Sequence, residues 1–221
     1  LTWFAGVRIS QHLFDWIRPL AFSAHCRPLN NTRRHYKLNS LGNDLPAIYT
    51  DADDVLFADS PDLFPVTNAT GNHFYLGPIY WSPDTPLPRW WHEIDRTKPV
   101  VFLTMGSSGR ASAFNQILHA LAGAPITVIG ATGGRVSRID LPSNASVDTF
   151  IPITKALEIA DLIICNGGSL MTYQSIAAGK PVLGIPSNLD QHLNMHYLSK
   201  AGLVESIRSE YVAKRQIRIL V

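Results

Sequence analysis

From Val100 onward, short apolar runs alternate with helical stretches, and the apolar runs lack the in–out alternation of a sheet with one wet face. "VVFLTM" is followed by "GSSG" and a helical stretch over Ala111–Ala122. "PITVIGA" and "ASVDTF" read as strands, "ITKALEIA" as a short helix and "DLIIC" as a strand. "SLMTYQSIAAG" is helical, "PVLGIP" a strand, and "DQHLNMHYLSKAG" helical again. Continuous apolar strands separated by helices specify an α/β architecture whose parallel sheet is covered on both faces. The expectation is a Rossmann-like doubly wound domain from about residue 100, with ligands taken up at the carboxyl ends of its strands.

The rest of the chain is less regular. Ile9, Leu13, Trp16, Ile17 and Leu20 fall at helical spacing, which predicts an amphipathic helix over residues 1–20, ending near Pro19. Its apolar stripe reads as core packing or, more sharply, as the lining of an apolar acceptor pocket. Residues 21–52 are polar and show little period. "DVLFADSPDLFP" and "HFYLGPIYW" each supply a short strand. Residues 82–99 hold Pro83, Pro86, Pro88 and Pro99 with Trp90 and Trp91, the composition of an ordered interdomain linker. At the far end, "SEYVAKRQIRILV" predicts the start of a helix.

Composition removes several classes of function. With 221 residues, 46% of them hydrophobic and 16% charged, the chain can bury a core. A formal net charge of +2 without a Lys/Arg-rich run gives no reason to expect a nucleic-acid partner. No run approaches the length of a membrane span. The two cysteines, Cys26 and Cys165, make no disulfide framework, and Cys165 closes an apolar run as a buried core thiol would. A cytoplasmic location is expected. The first residue is Leu rather than Met, which leads us to expect a piece of a longer chain.

Three loops fall at strand carboxyl ends. Gly106-Ser107-Ser108-Gly109 lets backbone approach a ligand, or is a bare strand-to-helix turn. Asn166-Gly167-Gly168-Ser169 opens a helix, where free N–H groups and the helix dipole suit an anion. Its alternative is a plain turn with Ser169 as helix cap. Asp190-Gln191 places a carboxylate beside an amide, a pair able to grip vicinal sugar hydroxyls. Asp190 could equally be the N-cap of the next helix.

Taken together, these pieces resemble the donor-site signature of GT-B nucleotide-sugar glycosyltransferases, in particular the group acting on macrolides, sterols, flavonoids and glycolipids. The match runs through Gly167, Gly168, Ser169, Gly179, Pro181, Pro186, Asp190, Gln191 and Asn194, and extends back over most of residues 40–205. The resemblance implies three parts. Residues 1–80 are the C-terminal part of an N-terminal acceptor domain, 81–99 an interdomain linker, and 100–221 a donor-binding domain lacking its last helices.

It also implies roles. Gly106 and Ser107 face the donor phosphates; Phe150, Ile151 and Pro152 hold a uracil or thymine base. Asn166, Gly167, Gly168 and Ser169 bind the diphosphate, Gln174 faces the ribose, and Asp190 and Gln191 hold the sugar. The donor is a UDP- or dTDP-sugar, the acceptor a small, lipophilic hydroxyl compound, and the transfer inverting. No metal or further cofactor is implied, because helix dipole and backbone donors do that work. The catalytic base is a His expected in a missing N-terminal half or a partner chain, so this piece alone would be inactive. The sequence departs from the family at Asn166, where His is usual, and at Leu170 and Met171, where residues are small.

Two other readings use the same residues. One is a noncatalytic nucleotide-sugar-binding or partner module with a decayed donor site. The other is a sugar-nucleotide epimerase, which the Trp-rich linker and the Asp-Gln ending fit less well.

Overall fold

The computed structural model describes residues 2–67, 69–136, 138–209, 212 and 217, with the backbone alone for residues 2–11. The chain divides into two compact units, Leu1–Phe57 with Asn68–Phe74, and Ala58–Thr67 with Tyr75–Val221.

The first unit is built on one long helix, α1 (Thr2–His35). It runs through both Pro19 and Pro28 rather than ending at Pro19, so the predicted boundary is corrected. A proline withholds one N–H donor, but it does not by itself supply a stop. The stop lies at Lys37, whose φ of 59° lets Leu38 N–H reach Arg33 O (2.9 Å) and Lys37 N–H reach Arg34 O (3.1 Å). This paired closure satisfies the last carbonyls of the helix. The expected core packing of the stripe is also corrected: Leu13, Trp16, Ile17 and Leu20 are exposed, Trp16 at 75%. After the turn the chain folds back on α1. Buried Asn30 donates to Gly42 O (2.7 Å) and accepts from Leu41 N–H (2.9 Å), and Arg33 pairs with Asp51 at 2.5 Å. A short helix α2 (Leu45–Thr50) follows, which the sequence pattern did not predict. The strands β1 (Val55–Phe57) and β2 (His73–Tyr75) pair as a two-stranded sheet.

The second unit carries the predicted alternation. In order, it contains β3 (Val100–Thr104), α3 (Ala111–Leu121), β4 (Thr127–Ala131), β5 (Ala145–Asp148), α4 (Ile153–Ile159) and β6 (Leu162–Cys165). Then come α5 (Ser169–Ala177), β7 (Val182–Gly184), α6 (Leu189–Lys200) and β8 (Glu205–Ser206). The six strands lie in the order β5-β4-β3-β6-β7-β8, and every pairing is parallel. The order reverses between β3 and β6, where a doubly wound sheet opens a crevice for ligand.

The lack of in–out alternation has its reason in the two cores. Val100 and Phe102 of β3 join Ile163, Val182 and the helices α4, α5 and α6 on one face. Val101 and Leu103, one residue out of step, join Ile164, Leu183 and the α3 side chains Phe114, Ile117 and Leu118 on the other. Both faces are dry, so both strand parities are apolar. The Pro/Trp-rich stretch forms a 3-10 turn over Arg89–Glu93, and Trp91, 5% exposed, belongs to the first of these cores. Of the helix predicted from Ser209 onward, most lies outside the described residues; Ile217 is fully buried.

Candidate functional site

Loops after five strands meet around a cleft of about 440 Å³. It is lined by Gly106, Ser107 and Ser108 after β3, Gly133 after β4, and Thr149, Phe150 and Ile151 after β5. Asn166, Gly168, Ser169, Leu170 and Met171 line it after β6, and Asp190 after β7. The three loops selected from the sequence therefore share one opening at the carboxyl edge of the sheet.

The β6 loop supplies an anion site of backbone groups. Gly168 is the N-cap of α5 and its hydrogen atom side chain caps nothing, so Ser169 is the first helical residue rather than the cap. The first intrahelical bond runs from Thr172 N–H to Gly168 O (3.1 Å). The N–H groups of Ser169, Leu170 and Met171 have no partner among the described residues. Unpaired donors at a helix start, carrying the positive end of the dipole, favour an anion. The loop is pinned from behind. Asn194 donates to Gly167 O (2.7 Å) and to Thr172 Oγ1 (3.0 Å). Gly167 sits at φ 77°, where an added Cβ would stand 2.5 Å from Met195 Cγ. Burial pushes the Cys165 thiol up to about 11, so at neutral pH it is a protonated core group.

Asn166, 6% exposed, is wedged between two loops. Its Oδ1 accepts from Gly168 N–H (3.2 Å) and its Nδ2 donates to Ser108 Oγ (3.4 Å). The β3 loop is closed by Gly109 N–H to Met105 O (3.0 Å) and clamped by Arg135, which donates to Ser107 O and to Gly109 O (3.2 Å). After β5, Phe150 is 56% exposed while Ile151 is buried at 6%. The N–H and C=O of Ile151 are unpaired among the described residues.

Four predicted donor residues do not line the cleft. Pro152 is the N-cap of α4. Gly167 is buried under the loop. Gln174, 8% exposed, donates to Trp81 O and Leu170 O at 3.3 Å each and faces a neighbouring groove with Tyr80 and Lys180. Gln191, 1% exposed, accepts from Ser187 N–H (2.9 Å) and Ser187 Oγ (3.1 Å) and donates to Ser108 Oγ (3.1 Å). Asp190 is exposed in the first turn of α6; the cap of that helix is Asn188, which accepts from Gln191 N–H at 2.9 Å, so Asp190 is freed from the capping role. Sequence reasoning passed over Ser108, Thr149 and Trp81. Ser108 stood in the selected loop, but nothing in the sequence distinguishes it from Ser107.

Outside the cleft, Phe64 packs against Tyr173 and Tyr197, and Tyr173 OH donates to Asp59. Burial, reinforced by that hydrogen bond and the Asp59 charge, pushes the Tyr173 phenol well above its usual range.

The six-stranded parallel sheet, with helix-start donors grouped at its switch point, has the GT-B type fold of the solved glycosyltransferases it superposes on. The chain belongs to the family described as the glycosyltransferase family 28 C-terminal domain, which matches residues 100–218. It is 47% identical over 209 residues to the PGL/p-HBAD biosynthesis glycosyltransferase of Mycobacterium tuberculosis (strain ATCC 25177 / H37Ra), covering 95% of this chain and 49% of that one. It is 42% identical over 212 residues to the PGL/p-HBAD biosynthesis rhamnosyltransferase of Mycobacterium bovis (strain BCG / Pasteur 1173P2), covering 96% and 47%. The chain spans about half the length of these curated relatives. Among solved structures, the spinosyn rhamnosyltransferase SpnG complexed with thymidine diphosphate superposes with a TM-score of 0.61 at 20% identity, covering 85% of this chain and 50% of that one. No helix among the described residues is long and apolar enough to cross a membrane.

Proposed function

We propose that this chain holds the donor site of a glycosyltransferase that moves a hexose from a UDP- or dTDP-sugar to a hydroxyl of a small lipophilic acceptor, with inversion. The observation that carries this reading is the pairing, in one cleft, of two complementary binding elements. The unpaired N–H groups of Ser169, Leu170 and Met171 suit a diphosphate. The unpaired N–H and C=O of Ile151 suit the acceptor–donor edge that uracil and thymine share, and the exposed Phe150 ring beside them offers a face for stacking. Asp190 faces the same cleft from the β7 side, where a carboxylate can accept from sugar hydroxyls. The rhamnosyltransferase relative and the thymidine diphosphate complex favour a thymidine diphosphate-linked deoxyhexose as donor.

The chemistry asked of these residues is charge stabilisation. As the anomeric carbon–oxygen bond breaks, negative charge grows on the departing diphosphate, and the fixed backbone donors at the α5 start need no reorganisation to meet it. No base for the acceptor proton is assigned within this chain, and the cleft is lined by no histidine among the described residues.

Calorimetric titration with thymidine, uridine and adenosine diphosphates tests the reading. Thymidine or uridine diphosphate should bind, and adenosine diphosphate should bind at least about ten-fold more weakly, because a two-ring purine carries its acceptor–donor edge farther from the ribose than a pyrimidine does, out of register with Ile151. Equal affinity for all three, or none for any, refutes it. One observation favours the noncatalytic alternative: Asn166 Oδ1 already occupies the Gly168 N–H. Absence of binding in the same titration is the result that alternative requires.

A further inference from the structure

Building on the donor reading above, we propose that Ser108 binds the donor phosphates through its hydroxyl proton, which Asn166 and Gln191 aim into the cleft. A serine hydroxyl has one proton to donate and two lone pairs to accept with. Two amides point at Ser108 Oγ: Asn166 Nδ2 at 3.4 Å and Gln191 Nε2 at 3.1 Å. The orientation of each amide is fixed by donors on its other side. Asn166 Oδ1 faces the Gly168 N–H, and Gln191 Oε1 faces the Ser187 N–H, both of which can only donate. Turning either amide over would set N–H against N–H. Both Ser108 lone pairs are therefore filled, and its own proton must take the remaining tetrahedral direction.

That proton has no acceptor among the described residues. Ser108 is exposed and lines the cleft together with Gly168 and Ser169. The helix-start N–H groups of Ser169, Leu170 and Met171 open on the same cleft and are donors as well. The ligand that completes such a set is an acceptor-only anion, and a phosphate oxygen of the donor is that group. Accepting two hydrogen bonds polarises the O–H, which strengthens it as a donor. Asn166 is too short of charge, and too fully engaged, to contact a phosphate as a cationic His would; it acts through Ser108. Gln191, at 1% exposure, does the same from the β7 side. Both are positioning residues, and Ser108 is the residue that touches the ligand.

The test is calorimetric titration of the full chain with thymidine diphosphate and with thymidine, using the parent, Ser108→Ala and Ser108→Thr, with a thermal melt of each. Loss of a hydrogen bond to a charged group should weaken binding by about ten-fold or more in Ser108→Ala. Ser108→Thr keeps the hydroxyl and should return to within about three-fold of the parent on the same scale. Ser108→Thr should melt with the parent, whereas Ser108→Ala, which leaves the buried Gln191 amide without its acceptor, should melt a few degrees lower. If Ser108→Ala binds like the parent, or Ser108→Thr is as weak as Ser108→Ala, the inference is overturned while the donor reading stands. A weakening in Ser108→Ala that is as large for thymidine as for thymidine diphosphate also overturns it, since the effect is then one of loop packing and not of the phosphates. If the parent itself does not bind thymidine diphosphate, the donor reading falls, and the role of Ser108 with it.

Discussion

Replacing Gly109 by Ala should unlock the first cleft loop, and the structure sets the size of the effect. A Cβ at this buried position would stand 2.2 Å from Met105 O, 2.8 Å from Asn166 Cβ and 3.0 Å from Met105 Cβ. A comfortable carbon–oxygen approach is about 3.3 Å or more, so the carbonyl must retreat by about 1 Å. That carbonyl accepts the Gly109 N–H at 3.0 Å and so closes the turn; moving it opens the loop. Losing the bond costs about 1 kcal/mol and the forced shift of packed neighbours about 1–3 more. A total of about 2–4 kcal/mol lowers the melting temperature of a chain this size by roughly 4–16 °C. Gly106→Ala is the comparison. Its Cβ would meet the Asn166 side chain at ordinary contact distance, Nδ2 nearest at 3.4 Å, and its penalty is the left-handed backbone at φ 55°, about 1–2 kcal/mol. Calorimetric melts of both variants should rank Gly109→Ala below Gly106→Ala. The reasoning is refuted if Gly109→Ala melts at or above its neighbour.

Three further outcomes are expected. Asn166→His should tighten thymidine diphosphate binding by about five-fold at pH 5.5, where an imidazole is cationic, and lose that gain by pH 8, read as the variant-to-parent ratio in titrations at both values. Asn144 donates to Leu121 O, Ala124 O and Ile126 O at 3.1, 3.4 and 3.3 Å, so Asn144→Ala should lower the urea unfolding free energy by about 2 kcal/mol without changing nucleotide affinity. Burial raises the Cys165 thiol to about 11, above the range of an exposed thiol, so its contribution to stability is whole below pH 9 and declines as pH rises toward 11; Cys165→Ala should remove that share of the alkaline loss in denaturant midpoints measured across the window.

The sequence was most legible where punctuation and burial agree. Strands β3, β4, β6 and β7 are apolar runs that give way to Gly, Pro or Asn within a few residues, and the sequence pattern places each of them, and β5, within a few residues. It was least legible where structure depends on partners distant in the chain. Strand β8, Glu205–Ser206, has exposed side chains and exists because Leu183 and Gly184 of β7 pair with it. The end of α1 is written by Lys37 in a left-handed conformation that glycine more commonly takes, so Pro19 looked like the stronger signal. Within the cleft, the glycine loops and Asp190 were legible because their chemistry follows from residue type and place. Gln174 and Gln191 were not, because an amide serves a ligand or a backbone carbonyl equally well, and here both are turned into the protein. Asn188 took the capping role from Asp190 by accepting the Gln191 N–H, a choice between two competent side chains two residues apart.

The central place of β3 governs when, during synthesis, the protein acquires a ligand site. β4 follows β3 closely in the chain, but the other neighbour of β3, β6, is synthesised much later; Val100 N–H and Asp161 Oδ2, bonded at the start of that pairing, are 61 residues apart. Until β6 docks, Gly106 has no Asn166 beside it and the helix start that offers the anion donors has not been made. A nascent chain stopped after β5 would carry half of the sheet and the β3 loop with Ser108, but none of the helix-start donors of the diphosphate site. Nucleotide can therefore stabilise only chains that have completed the β3–β6 seam, which makes the ligand a late-acting selector of finished sheets rather than a template for their assembly.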